Sequence, residues 1–244
     1  MPNSVEKMSF NYSPNFDSTQ RHRKKIKYII FHYTGMRSDR LAIKKLTNLN
    51  SKVSSHYYID LKGKLFQLVP DNYIAWHAGK SNWEKDRSIN KNSIGIEISN
   101  PGHNIGYKKF NKKQINSLIH ISKFLIKKYK IKRKYILAHS DIAPLRKKDP
   151  GEKFPWKFLA KNKIGIWHKI NKKKCKNLRG KTMYAKNNLF LSYLKKFGYY
   201  VNYSKFKELK KIIEAFQRRF RPELVNGKLD KECFEIIKSL NYLI

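Results

Sequence analysis

Apolar residues fall along this chain in two rhythms, short runs and helical stripes. Lys27-Tyr-Ile-Ile-Phe31 and Tyr135-Ile-Leu-Ala138 are compact apolar runs that read as buried strands. Ser55-His-Tyr-Tyr-Ile-Asp60 and Leu65-Phe-Gln-Leu-Val69 read as two more, with Lys62-Gly63 marking a hairpin turn between them. In Ser93-Ile-Gly-Ile-Glu-Ile-Ser99, Ile94, Ile96 and Ile98 alternate with Gly95 and Glu97. The isoleucines therefore take one face of the strand and Glu97 the other.

Helical spacing marks the other segments. Ser38 to Asn50 places Leu41, Lys45 and Leu49 four apart, with Ile43 and Leu46 alongside. Asn111 to Lys130 puts Ile115, Leu118, Ile119, Leu125, Ile126 and Tyr129 on one stripe, and Asn111 with Gln114 resembles a capping box. Such a helix covers one face of a sheet. Pro155-Trp156 opens a short helix through Ala160. Leu189 to Phe197 stops at Gly198. Ser204 to Phe220 carries Phe206, Leu209, Ile213, Phe216 and Phe220 on one stripe, and Asp230 caps a last helix with Phe234, Ile237 and Leu240.

These elements predict an α/β fold, with a central mixed β-sheet flanked by helices and a small three-helix C-terminal domain after it. Residues 1–24, with loop formers Asn11, Ser13, Pro14 and Asn15, read as an irregular leader. Residues 25–165 form the α/β domain, 166–182 a polar, lysine-rich linker, and 183–244 an independent helical bundle.

Composition changes this picture little. At 244 residues, 40% hydrophobic and 14% aromatic, the chain has material for a core. No apolar run approaches the roughly 18 residues of a membrane helix, and residues 1–23 lack the apolar middle of a secretory signal. The net charge of +38, from 55 Lys+Arg against 17 Asp+Glu, suits a polyanionic partner. AT-rich codon bias, visible in the abundance of Lys, Asn, Ile and Tyr, accounts for it better. The lysines are spread over the whole length, and no basic block marks a specific nucleic-acid site. Cys175 and Cys233 lack metal-type spacing and read as unpaired small hydrophobes.

Candidate chemistry centres on His139-Ser-Asp-Ile-Ala-Pro-Leu-Arg-Lys-Lys-Asp149, closed by Pro150-Gly151. His139 and Asp149 cannot share a helix face, but a loop that doubles back brings them to one point. Zinc accepts a mixed nitrogen and oxygen set, and a catalytic zinc needs a third protein ligand and one open position. His32, at the end of another apolar strand, supplies that ligand best. His56 and His77 are weaker candidates. Metal-assisted attack by water also needs a base and a donor for the oxyanion. Glu97 suits the first task and Lys147 the second, whereas Asp141 and Lys148 read as solvent-facing. Trp76 and His77 are either a cleft wall that stacks on sugar or peptide, or a loop plug.

The set His32-Tyr33-Thr34, Ser55-His56-Tyr57, Ala75-Trp76-His77-Ala78-Gly79, Ser93-Ile94-Gly95-Ile96-Glu97 and His139 through Gly151 resembles the zinc-dependent N-acetylmuramoyl-L-alanine amidases, the amidase-2 family, over roughly residues 25–162. That resemblance implies cleavage of the amide between N-acetylmuramic acid and L-alanine in peptidoglycan or muropeptides. It implies that His32, His139 and Asp149 hold Zn2+, that Glu97 is the base, and that Lys147 stabilises the transition state. The alternative is a protein that binds wall fragments without cutting them. Ala215-Phe216-Gln217, Phe220, Gly227, Leu229 and Asp230 resemble a peptidoglycan-binding domain of three helices, although Cys233 stands where that family usually has Thr. The two-domain pairing points to a monomeric enzyme of the bacterial cell envelope, periplasmic or secreted. The lack of a visible signal sequence points instead to the cytoplasm.

Overall fold

In the computed structural model, residues 8–182, 187–202 and 206–244 are described. Ten strands appear in chain order: β1 (Ser9–Phe10), β2 (Phe16–Asp17), β3 (Tyr28–Tyr33), β4 (Tyr57–Ile59), β5 (Leu65–Gln67), β6 (Ile74–Ala75), β7 (Asn82–Trp83), β8 (Asp86–Arg87), β9 (Ser93–Ile98) and β10 (Ile136–Ala138). The helices are α1 (Asp39–Thr47), α2 (Lys112–Tyr129), α3 (His139–Ile142), α4 (Trp156–Lys161), α5 (Lys172–Leu178), α6 (Asn187–Phe197), α7 (Phe206–Phe220) and α8 (Lys231–Asn241).

Six strands form one mixed sheet in the order β1-β5-β4-β9-β3-β10. The expected hairpin is β4–β5, its antiparallel pair, and the β4–β9, β9–β3 and β3–β10 pairs are parallel. Parallel strands aim their carboxyl ends at one edge, where open α/β sheets place their sites. His32 and Glu97 stand at that edge, and His139 follows the last residue of β10.

The two sheet faces bury different partners. Ile29, Phe31, Ile94, Ile96 and Ile98 pack against Ile115, Leu118, Ile121 and Leu125 of α2. Helix α2 starts as its sequence predicts, with Asn111 and Gln114 completing a capping box. On the other face, Tyr28, Ile30 and Leu137 share a core with Phe190, Leu194, Phe216 and Phe220 of the C-terminal helices. Those helices form the smaller region expected, but they share the core of the sheet. Trp83 stacks edge-on against Tyr199, with centroids 4.9 Å apart. Gly198 lies so close beneath Trp83 that a Cβ there would overlap the indole.

Several expectations are corrected. The leader is not wholly irregular: β1 pairs in parallel with β5, and Arg21 is buried with its Nε donating to the Asp71 carbonyl at 3.1 Å. Residues 1–7 of that leader lie outside the described residues. The linker contains α5, capped by Asn171 and holding buried Cys175. One buried position in a lysine-rich turn gives no visible periodicity. Arg179, just past α5, forks onto Glu232 at 2.7 and 2.8 Å and ties the segment to α8. Phe206 is 79% exposed and leaves the stripe of α7. The expected start of that helix at Ser204, and the boundary at residue 183, fall outside the described residues. Both cysteines are buried and unpaired.

Candidate metal centre and active site

His32 arrives as the penultimate residue of the interior strand β3, buried beneath the cleft. His139 opens α3 at the end of β10, the neighbouring strand. The chain after α3 does double back. The Ser140 amide donates to the Asp149 carbonyl at 2.9 Å, and the Lys147 amide donates to the Ala143 carbonyl at 3.0 Å. The turn brings the Asp149 carboxylate to both rings. Asp149 Oδ2 lies 3.2 Å from His32 Nδ1 and 2.9 Å from His139 Nδ1, and the two Nδ1 atoms are 2.8 Å apart. One ligand atom from each residue falls within 4.8 Å of the others.

This cluster fits a metal ion. Two imidazole nitrogens and a carboxylate oxygen form a common donor set of a catalytic metal site. All three residues are buried, so without an ion two nitrogen lone pairs and a carboxylate would crowd one point. Burial pushes the His32 imidazole down to about 4, and neighbouring His139 adds to that, so the ring is neutral and able to coordinate. Burial alone would raise the Asp149 carboxyl, but His139 and His32 hold it well below the usual carboxylate range.

Glu97 and Lys147 line the cleft above the cluster, together with Tyr33, Lys45, Trp76 and Asn104. Burial, and then the charge of Asp149, raise the Glu97 carboxyl to about 8, with Lys147 opposing the shift. Its Oε2 is shielded from solvent and accepts no hydrogen bond. Once ionised, a carboxylate without a partner at a cleft base is free to take a proton from substrate or water, and its raised proton affinity favours the transfer.

The structure brings together all five residues that the sequence singled out for chemistry, and sets Trp76 and His77 differently against the same cleft. Trp76 lines the cleft, with its indole Nε1 donating to Asp17 at 2.7 Å. His77 is buried, not exposed, and stands behind His32, with His32 Nε2 and His77 Nδ1 3.0 Å apart. His56 lies off the cluster, where its Nδ1 accepts the Gly95 amide at 3.0 Å.

Sequence reasoning missed Asp141, which reads as solvent-facing and is in fact fully buried. Its carboxylate accepts from the Ala138 amide at 2.8 Å, from the Tyr199 hydroxyl at 2.5 Å, and from Arg219. Arg219 also donates to the Ile136 carbonyl at 2.9 Å on the edge strand β10 and lies over Trp156. The turn that presents His139 is thus braced from α7. Only the proximity of Asp141 to His139 hinted at this, since Arg219 lies 78 positions away.

Fold and site together define a hydrolase that uses one metal ion at the carboxyl edge of a mixed sheet. The model of the N-acetylmuramoyl-L-alanine amidase family, Amidase_2, matches residues 22–152, more than half of the chain, and the chain belongs to that family. It is therefore an enzyme that hydrolyses the bond between N-acetylmuramic acid and L-alanine. N-acetylmuramoyl-L-alanine amidase AmiD of Escherichia coli is 37% identical over 231 residues, covering 88% of this chain and 82% of that protein. The solved complex of that AmiD with anhydro-N-acetylmuramic acid-L-Ala-D-gamma-Glu-L-Lys superposes with a TM-score of 0.81 at 34% identity, covering 93% of each chain. 1,6-anhydro-N-acetylmuramyl-L-alanine amidase AmpD of Haemophilus influenzae is 38% identical over 106 residues, 43% of this chain and 55% of that protein.

Proposed function

We propose that the ion is zinc, held by His32, His139 and Asp149, and that the enzyme acts on peptidoglycan of the bacterial cell envelope. The observation that carries this reading is the convergence of the three donors beside the unpartnered carboxyl of Glu97. The chemistry zinc supplies in such a site is Lewis-acid activation of a water and of the amide carbonyl. Glu97 takes the proton of the attacking water and delivers it to the departing L-alanine nitrogen. The Lys147 ammonium donates to the oxygen that becomes negative as the carbonyl carbon turns tetrahedral. The C–N bond then breaks, leaving a lactyl carboxylate on the sugar and a free amine on the stem peptide.

The envelope reading rests on the pairing of the catalytic fold with a helical C-terminal region; the match to AmiD covers 88% of this chain, whereas the match to AmpD covers 43%. Within those helices Gln217 pins the turn before α8, with Oε1 accepting from the Asn226 and Gly227 amides at 2.9 and 2.8 Å. A single chain supplies all five reacting residues, in keeping with a monomer.

Mass spectrometry of products from purified sacculi and from anhydro-muropeptides, run side by side, tests the proposal. Stem peptides with a free L-alanine amine should be released from sacculi, disappear after chelation and return with zinc. Turnover that survives thorough chelation would refute the metal mechanism. Release from anhydro-muropeptides alone would place the enzyme in cytoplasmic recycling.

A further inference from the structure

The Trp76–Gly79 loop touches both imidazoles of the metal cluster from behind. His32 Nε2 lies 3.0 Å from His77 Nδ1, and His139 Nε2 lies 3.1 Å from the Ala78 carbonyl. Proton positions follow from a hydrogen-bond chain with one fixed end. The Ser93 hydroxyl donates its only proton to the Ile89 carbonyl at 2.6 Å. Its oxygen must then accept from His77 Nε2, 3.1 Å away. A neutral imidazole carries one N–H, so His77 Nδ1 is bare and accepts from His32 Nε2. Were His77 protonated on both nitrogens, two N–H groups would face each other across that gap. For His139 the direction is simpler, because a carbonyl only accepts.

The neighbouring strand is built around this chain. Ser93, Gly95 and Glu97 share one face of β9. Ser93 receives the His77 proton, and a Cβ on Gly95 would overlap the His77 ring. Glu97 opens into the cleft. The loop backbone is itself pinned by Asn90, whose Oδ1 accepts from the His77 and Ala78 amides at 3.2 and 2.7 Å.

We infer that the Trp76–Gly79 loop is a positioning clamp for the metal ligands: His77, relayed through Ser93, and the Ala78 carbonyl fix His32 and His139 as Nε2–H tautomers, aiming both Nδ1 lone pairs at the ion. This rests on the metal-hydrolase reading and gives His77, whose buried ring reaches the cleft wall only at its margin, the task of holding the ligands. Partners of this kind orient metal-binding histidines, and their loss costs about 10–100-fold in metal affinity.

Nitrogen NMR of the zinc-loaded protein with 15N-labelled histidine reads the tautomers directly. Nε2–H forms of His32, His77 and His139 are expected, and an Nδ1–H form of His32 or His77 would overturn the inference. Zinc affinity, measured by competition with a chromophoric chelator, supplies the second readout. His77→Leu should weaken zinc about 10–100-fold. His77→Asn, whose Oδ1 replaces Nδ1, should restore most of the loss, and Ser93→Ala should fall between. Unchanged zinc affinity in His77→Leu with a raised KM would make His77 a substrate contact and sink the clamp. Should His77→Leu fail to fold, Ser93→Ala and the tautomer spectra of the unaltered protein decide. A wild-type protein that takes up no zinc would instead refute the functional reading itself.

Discussion

Glu97 is the register partner of His32 across the parallel β3–β9 ladder. Paired residues in such a ladder leave the sheet on the same face. Strand geometry alone therefore holds the carboxyl beside the ligand imidazole, with no loop to order first. Rigid elements place reacting groups more firmly than loops do. The same ladder buries the carboxyl, and that burial is the main cause of its raised proton affinity.

Replacing the carboxyl by an amide tests its role as base. Glu97→Gln should lower kcat by about 10²–10⁴-fold, the usual contribution of a general base. Zinc content, read by atomic absorption, should stay at the wild-type level. A variant that turns over normally would remove Glu97 from the chemistry.

Lys147 is held in the cleft by the turn that returns to Asp149. Lys147→Ala should bind zinc normally and lose about 10²–10³-fold in kcat, the scale of one lost oxyanion donor. Single-turnover kinetics on a defined muropeptide would separate that loss from a change in binding.

Asp149 links the ion to the turn. Asp149→Ala should lose stoichiometric zinc and, with it, the order of residues between α3 and Pro150. Hydrogen exchange of the Ser140 amide, which donates to the Asp149 carbonyl at 2.9 Å, reports that order. Slow exchange in a zinc-free variant would show the turn to be independent of the metal.

The metal-free protein should be most stable at about pH 7. Burial first, with His139 and Arg21 respectively next, lowers His32 to about 4 and His56 to about 3. Both are neutral when folded and protonated in the unfolded chain below about 6.5, so stability falls as pH drops through that window. Glu97 acts oppositely: raised from 4.5 to about 8, it keeps a proton that the unfolded chain releases. Its effect lowers stability as pH rises from 4.5 to 8. His77 and His168 are lowered by burial in the same sense, so four histidines outweigh one carboxyl until about pH 7, above which the carboxyl dominates. Thermal melts of chelated protein from pH 4.5 to 8.5 should trace a maximum, and a Tm rising steadily to pH 8 would contradict it.

Arg219 and Asp141 form a fully buried pair between α7 and α3. Arg219→Met strands the carboxylate and should cost about 3–5 kcal/mol in urea denaturation. Adding Asp141→Asn should recover part of the loss, because the remaining amide oxygen still accepts from the Ala138 amide. A single variant as stable as wild type would mean that α7 does not brace the site.

Much of this molecule was legible in the linear pattern. Alternating isoleucines set the two faces of β9, and Asn111 with Gln114 marked the start of α2. His32 and His139 could be placed at one sheet edge because each ends an apolar run, and Pro150-Gly151 closed a loop short enough to return Asp149 to them. Local order carries that information, because side-chain alternation and caps depend on near neighbours.

Other features came only from the folded chain. Nothing near Asp141 shows that Arg219 will neutralise it, and nothing near His77 shows that its ring will meet His32. A residue's pattern tells that it is buried, but its partner is chosen by how distant segments meet. The same holds for the C-terminal helices, whose apolar stripes fit a free bundle as well as the uncovered face of the sheet. Sequence thus determined the elements and the candidate site residues, and tertiary packing decided which face each buried residue meets, because contact across many tens of residues leaves no local period to read.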